Sequence, residues 1–264
     1  MATPEPVRRR PTASTGRPSW LRLALALLAL AILAGGAFGI WYLFLRPAPP
    51  AAVALPSIPV SSPGSSAAAS AEPGASTAAR GLDGTWQVDP SVGSFSDFSG
   101  SFVGYRVQEE LASIGAQEAV GRTPDVTGSL TISGTTIAAV DATADLTTLL
   151  SDDDRRDGQL RRQGIETGTF PTSTFHLTTP IELGALPAEG ETISVTATGE
   201  LTLHGETNTV EVPLQARLSS GVISVTGSIP IAFADYGIER PTSMLVLSIA
   251  DEGTMEFQLH FRRA

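Results

Sequence analysis

Thr192-Ile193-Ser194-Val195-Thr196-Ala197-Thr198-Gly199-Glu200-Leu201-Thr202-Leu203 alternates without a break, with Ile193, Val195, Ala197, Gly199, Leu201 and Leu203 on one side and only Thr, Ser and Glu on the other. Successive side chains of a strand point to opposite faces, so a period of two predicts a strand with one buried face and one wet face. The same parity recurs in Val210, Val212, Leu214, Ala216 and Leu218, in Ile223, Val225, Ile229, Ile231 and Phe233, and in Met255, Phe257, Leu259 and Phe261. Upstream, strands are predicted at about 85–89, 100–107, 125–133, 136–147 and 173–182, and downstream at 245–250. Ser133-Gly134, His204-Gly205-Glu206, Ser219-Ser220-Gly221 and Asp251-Glu252-Gly253 supply the turns.

About eight to ten one-sided antiparallel strands must each hide a face, and a closed barrel or a two-sheet sandwich does so. Strands of about ten to twelve residues favour the barrel, since sandwich strands are usually shorter. An eight-stranded barrel is wide enough to be filled by side chains or to hold one small ligand, and periodicity does not choose between the two. One segment breaks the pattern: Asp152 to Gly164 opens with acids and closes with arginines and a glycine, the charge order of a short helix between its caps. The fold class predicted for residues 82–264 is therefore all-β, an antiparallel barrel with one short helical insertion.

Outward from this domain, residues 23–45 form an unbroken apolar run, Leu23 to Leu45. A helix of roughly 20 apolar residues crosses a hydrocarbon core of about 30 Å, so the run predicts a single transmembrane helix. Arg8, Arg9, Arg10, Arg17 and Arg22 precede it, and beyond Arg46 the next basic residue is Arg80. That bias predicts a cytoplasmic tail at 1–22 and an extracytoplasmic C-terminal domain, with Trp20, Trp41 and Tyr42 at the headgroup layers. The rival reading is a cleaved signal peptide ending at Ala52-Val53-Ala54, but secretory apolar regions run only about 7–15 residues. Gly35 and Gly39 form a GxxxG pair, a weak signal for helix pairing and the only pointer to an oligomer.

Residues 46–81 consist almost wholly of Pro, Ala, Ser, Gly, Thr and Val and read as a disordered linker. The chain has no cysteine, which excludes disulfides, thiolate chemistry and cysteine-ligated zinc. After Arg46, 11 arginines face 26 acids. An acidic domain excludes nucleic acid as a partner, because that needs clustered positive charge.

Several segments together resemble the YceI-like family: Thr85-Trp86-Gln87-Val88-Asp89, Val126 to Ile132, Arg156-Asp157-x-x-Leu160-Arg161, Thr169-Phe170-Pro171-Thr172-Ser173-Thr174-Phe175, Gly199 to Thr207 with its His204-Gly205, and Asp235-Tyr236-Gly237-Ile238. The resemblance spans nearly all of 82–264. It implies an extended, lipocalin-like antiparallel β-barrel whose apolar cavity takes up a polyisoprenoid or similar long-chain lipid, in a protein outside the cytoplasm. The chain departs from the family in one respect. Many members carry His-Ser soon after the opening Trp-x-x-Asp and a second His in the following strand, where this chain has Val92-Gly93 and Gly104-Tyr105-Arg106-Val107.

The cavity residues expected from the matched segments are Trp86, Phe102, Leu160, Ile165, Phe170, Phe175, Leu203 and Phe233. Each has core packing as its plain alternative, since most inward residues of a barrel simply fill it. Arg155, Arg156 and Arg161, with Arg162, form the only dense basic cluster in the acidic domain and are candidates to receive a phosphate or carboxylate headgroup. Helix pairing is the competing account, because Arg161 lies four residues after Asp157. His176, His204 and His260 fall on the polar parity or in a turn, and no nucleophile elbow, zinc motif or phosphate loop is present. The expectation is thus a membrane-anchored lipid carrier, without catalytic or metal-ligating residues and with no cofactor beyond a bound isoprenoid or similar lipid. The second reading is a filled barrel that serves as a protein-binding or envelope-stress module.

Overall fold

The computed structural model describes residues 19–40, 49–55, 81–112, 115–241 and 246–264, with side chains in the first stretch described only at 23 and 27–37. The expected Arg8–Arg17 cluster, Trp41, Tyr42 and linker residues 56–80 lie outside the described residues. The chain divides into two units, Met1–Ala48 and Pro49–Ala264.

In the first unit, helix α1 runs Ser19–Ile40. Its leucines find no cover: Leu27 is 58% exposed and Leu33 70%. Among the described residues no helix is long and apolar enough to cross a membrane. The transmembrane span expected over 23–45 is thus not supported by the described residues, where the helix begins at Ser19 and is described only as far as Ile40.

The second unit is a single antiparallel sheet of 13 strands. These are β1 Gly84–Val88, β2 Phe102–Leu111, β3 Gly115–Thr123, β4 Val126–Ser133, β5 Thr136–Asp145, β6 Leu150–Ser151, β7 Thr172–Leu177, β8 Ile181–Glu182, β9 Thr192–Leu203, β10 Glu206–Ser219, β11 Val222–Ala232, β12 Val246–Ile249 and β13 Glu252–Arg263. The order β1-β4-β5-β7-β9-β10-β11-β13 returns to β1, so eight strands close a barrel. Trp86 marks the closure, lying opposite Leu130 of β4 on one side and Arg263 of β13 on the other. The long strands follow the alternation read from sequence, and β9 has the expected bounds. The β9–β10 hairpin turns on His204 (φ 54°) and Gly205 (φ 81°), two left-handed residues whose twist matches that of the flanking strands.

β13 serves two neighbours. Its last residues, Phe261 to Arg263, pair with β1, whereas Thr254 to Gln258 pair with β2. At the second end the wall thus continues as β2, β3 and β6. Strand β3 was not expected from the sequence. There Leu146 and Leu149 pack in the core with Val126 and Leu130 of β4, and helix α2, Asp154–Leu160, packs beside β6. Asp153 caps α2 by accepting from the Arg155 backbone N–H at 2.8 Å. The helix lies within the expected segment 152–164, and Gly164 (φ 69°) turns the chain just after it.

Part of the expected linker is ordered on the barrel. Residues 49–55 belong to the same unit as the strands, and the carbonyls of Pro50 and Ala51 accept hydrogen bonds from Arg106 and Arg122.

Candidate functional site

The inward parity of the strands makes an apolar interior with two adjacent cavities. Toward the closed rim lies a cavity of about 150 Å³, walled by residues such as Ile132, Val140, Phe175, Val195, Leu214 and Phe257. Among its lining residues only Ser173, Thr174 and Arg217 are not apolar, and the Ser173 hydroxyl is already committed to the Thr202 carbonyl at 2.9 Å. A second cavity of about 130 Å³ lies toward α2. Val103, Ser173 and Met255 line both, so the two are adjacent.

Glycines in the wall make room for inward aromatic rings. Gly227 faces Phe257 across the β11–β13 pair, and a β-carbon there would lie 2.6 Å from Phe257 Cζ. Gly121 does the same for Tyr105 across β2 and β3. A larger residue at either position would drive the ring into the hollow.

The second cavity has a polar end. Arg156 Nη2 donates to Glu109 Oε1 at 2.6 Å, and Nη1 donates to Asp152 Oδ1 at 2.6 Å. Gln117 Nε2 also donates to Glu109, at 2.5 Å. Buried Asp157 accepts from the Ser151 hydroxyl at 2.6 Å. Burial works against the Arg156 charge, but the Glu109 carboxylate outweighs it and holds the guanidinium pKa above its ordinary value. The Tyr105 hydroxyl beside this group is buried and has no hydrogen-bond partner among the described residues. Burial pushes the Tyr105 phenol upward, so it stands as a neutral donor. Two chemical features result: adjacent apolar cavities and an unused O–H, that of Tyr105, beside the polar end of the second.

Residues 85–261 match the family model described as the YceI-like domain. The chain belongs to the YceI-like family. No curated protein matches it. Among solved structures it is similar to a polyisoprenoid binding domain from Saccharophagus degradans implicated in plant cell wall breakdown, at 22% identity and a TM-score of 0.50, covering 62% of this chain and 94% of that one. It is also similar to BcnA of Burkholderia cenocepacia (20% identity, TM-score 0.48, 66% of this chain and 98% of that one). A third is the Campylobacter jejuni YceI protein (14% identity, TM-score 0.44, 53% of this chain and 82% of that one).

Within this YceI-like barrel the residues singled out from sequence separate clearly. Phe175 lines the first cavity, and Leu160, Ile165, Leu203 and Phe233 line the second. Trp86 lines neither; it is packed in the core at 3% exposure, with its indole N–H given to the Leu82 carbonyl at 2.9 Å. Phe102 has the opposite parity to Val103 and Tyr105 and lies on the outer wall, beneath the Arg122 guanidinium at 4.3 Å. Phe170 stacks on His204, ring centroids 4.3 Å apart, away from both cavities. Of the arginines, Arg156 reaches the second cavity, whereas Arg155 and Arg161 are exposed and line neither cavity.

Tyr105 and Glu109 were missed. The signal was available in Val103, Tyr105, Val107 and Glu109, which alternate with Gly104, Arg106 and Gln108. None of His176, His204 and His260 lines either cavity, and no three His, Asp or Glu side chains gather to hold a metal among the described residues.

Proposed function

We propose that this YceI-like domain binds a long-chain lipid, an isoprenoid by preference, with its chain in the first cavity and its head at Tyr105, and carries it without chemical change. The single observation behind this reading is the unpartnered Tyr105 hydroxyl at the polar end of an otherwise apolar interior. A buried polar group without a partner costs about 1–3 kcal/mol, and a ligand carbonyl or ether oxygen would relieve that cost. Each CH₂ moved from water into the cavities adds roughly 0.8 kcal/mol.

The head is uncharged in this reading. Arg156 is the one cation lining that end, and Glu109 and Asp152 already neutralise it, with Asp157 adding a further negative charge nearby. A phosphate would meet net repulsion there, which argues against the headgroup role considered for the arginine cluster.

Membrane attachment belongs to the same proposal. The exposed leucines of α1 and the Arg-rich segment before it favour a helix seated in a bilayer with the barrel outside the cytoplasm. The test is native mass spectrometry and solvent extraction of the full chain purified in mild detergent. We expect a copurified long-chain lipid with a neutral head. A barrel that stays empty after incubation with polyprenols and isoprenoid quinones overturns the reading and favours the filled-barrel module.

A further inference from the structure

The outer wall of the barrel carries a buried ionic knot that a lipid site does not need. Glu256 of β13 lies opposite Gly104 of β2, which in turn lies opposite Arg122 of β3. Because Gly104 has no side chain, the two long side chains meet above it; a β-carbon there would lie 2.7 Å from Arg122 Cγ. Glu256, 1% exposed, accepts from Arg122 Nε at 2.8 Å and from Arg106 Nε at 2.7 Å, so both its oxygens are used. Arg106 also reaches Glu118 at 2.7 Å, and Arg122 lies over the rings of Phe98 and Phe102 at 4.4 and 4.3 Å.

Nη2 of each guanidinium also donates to a carbonyl of the preceding chain, and Arg122 Nη2 lies 2.7 Å from Glu256 Oε1 as well. Arg106 Nη2 donates to Pro50 O at 2.6 Å, and Arg122 Nη2 donates to Ala51 O at 2.7 Å. Guanidinium groups only donate, so they match main-chain carbonyls. Pro49 and Pro50, which open the segment, have no N–H to leave unsatisfied and arrive with φ already fixed, which lowers the entropy lost on docking.

We propose that residues 49–55 are a strap seated in cis on the outer wall by the Arg106–Glu256–Arg122 knot, and that this site exists to hold extended, Pro/Ala-rich main chain. Along the chain, only residues 46–49 then separate the apolar run 23–45 from the clamp at Pro50. The reach of the barrel is then set by the short stretch before the clamp. The strap itself does not depend on the lipid reading; its effect on reach rests on the membrane anchoring proposed above.

The chain has no cysteine, so two introduced cysteines are unique labelling sites. Ala52 and Thr127 are both exposed. In the full chain carrying Ala52→Cys and Thr127→Cys, double electron–electron resonance between nitroxides should give one narrow distance that persists when labelled chain is diluted with unlabelled chain. A broad distribution overturns the strap. A narrow distance that vanishes on dilution also overturns it, placing the segment on a second copy. For reach, a barrel-bound dye and a bilayer probe are compared in proteoliposomes. A Gly/Ser insertion after Arg46 should lower energy transfer, whereas the same insertion at Ser65 should leave it unchanged. If the second insertion lowers it as much as the first, the leash fails; a barrel that never associates with the vesicles refutes the anchoring, and the resonance result still decides the strap.

Discussion

Gly121 lies directly opposite Tyr105 in the β2–β3 pair, and a β-carbon on Gly121 would sit 2.7 Å from Tyr105 Cζ. The glycine is what lets the phenol lie flat against the wall at the polar end of the interior. Gly121→Ala should therefore either displace the ring into the second cavity or strain the pair. Overpacking of this kind costs about 1–3 kcal/mol. Thermal melts should show a drop of several degrees that is largely restored in Gly121→Ala/Tyr105→Ala; a single variant as stable as the parent would refute the contact.

Tyr105→Phe should move stability and affinity in opposite directions. Removing a buried hydroxyl that has no partner relieves a desolvation cost, so the ligand-free protein should melt no lower than the parent and up to a few degrees higher. A lipid with a carbonyl at its head should bind about three- to tenfold more weakly, the worth of one net hydrogen bond, while a plain alkane should be unaffected. Titration calorimetry with the two ligands checks the split.

Arg156 and Arg155 are neighbours in sequence with different surroundings. Arg156→Leu leaves the Glu109 carboxylate, 8% exposed, without its cation, and breaking such a pair costs about 3–5 kcal/mol when fully buried. Arg155→Leu changes an exposed side chain and should stay within about 0.5 kcal/mol of the parent. Urea unfolding of the two variants gives the comparison, and equal losses would contradict the ion-pair assignment.

His260 makes the barrel sensitive to acid. Its Nε2–H donates to the Ser99 carbonyl at 2.9 Å, and Nδ1 accepts from the Ser224 hydroxyl at 2.9 Å, an arrangement that fits the neutral ring. Burial holds its pKa below the ordinary value, against the pull of the Ser99 carbonyl. The unfolded chain then takes up the proton first as pH falls. The stabilisation is thus full above about pH 6.5 and is lost as pH drops through the lower folded value. Melting temperature should fall less steeply between neutral and mildly acid pH in His260→Gln than in the parent; parallel curves would exclude this group.

How legible all this was depends on how many faces of a strand are covered. β9, β10, β11 and β13 carry long runs of clean alternation, and their inward residues were read correctly. β3, Gly115 to Thr123, was invisible because its residues from Ala119 onward are all buried, so no wet face marks the period. The same double cover misplaced Phe102. Apolar character suggested the cavity, yet the outer wall there is buried beneath Arg122 and Phe98. The arginine cluster was read as a unit, whereas helical geometry turns Arg156 inward and leaves Arg155 outside. Nothing in composition distinguished residues 49–55 from the rest of the linker, since the knot that holds them is assembled from strands far away in sequence.

The division of β13 between β1 and β2 gives the vessel a seam. At the β1 end every neighbouring pair of barrel strands is joined through its peptide groups, and forcing a passage there means tearing a ladder. Beyond β3 the ladder continues only through the two-residue strand β6, and Leu146 and Leu149 pack into the core there. Opening that flank would part side chains, the Arg156–Glu109 pair among them, whereas opening the laced rim would tear a backbone ladder.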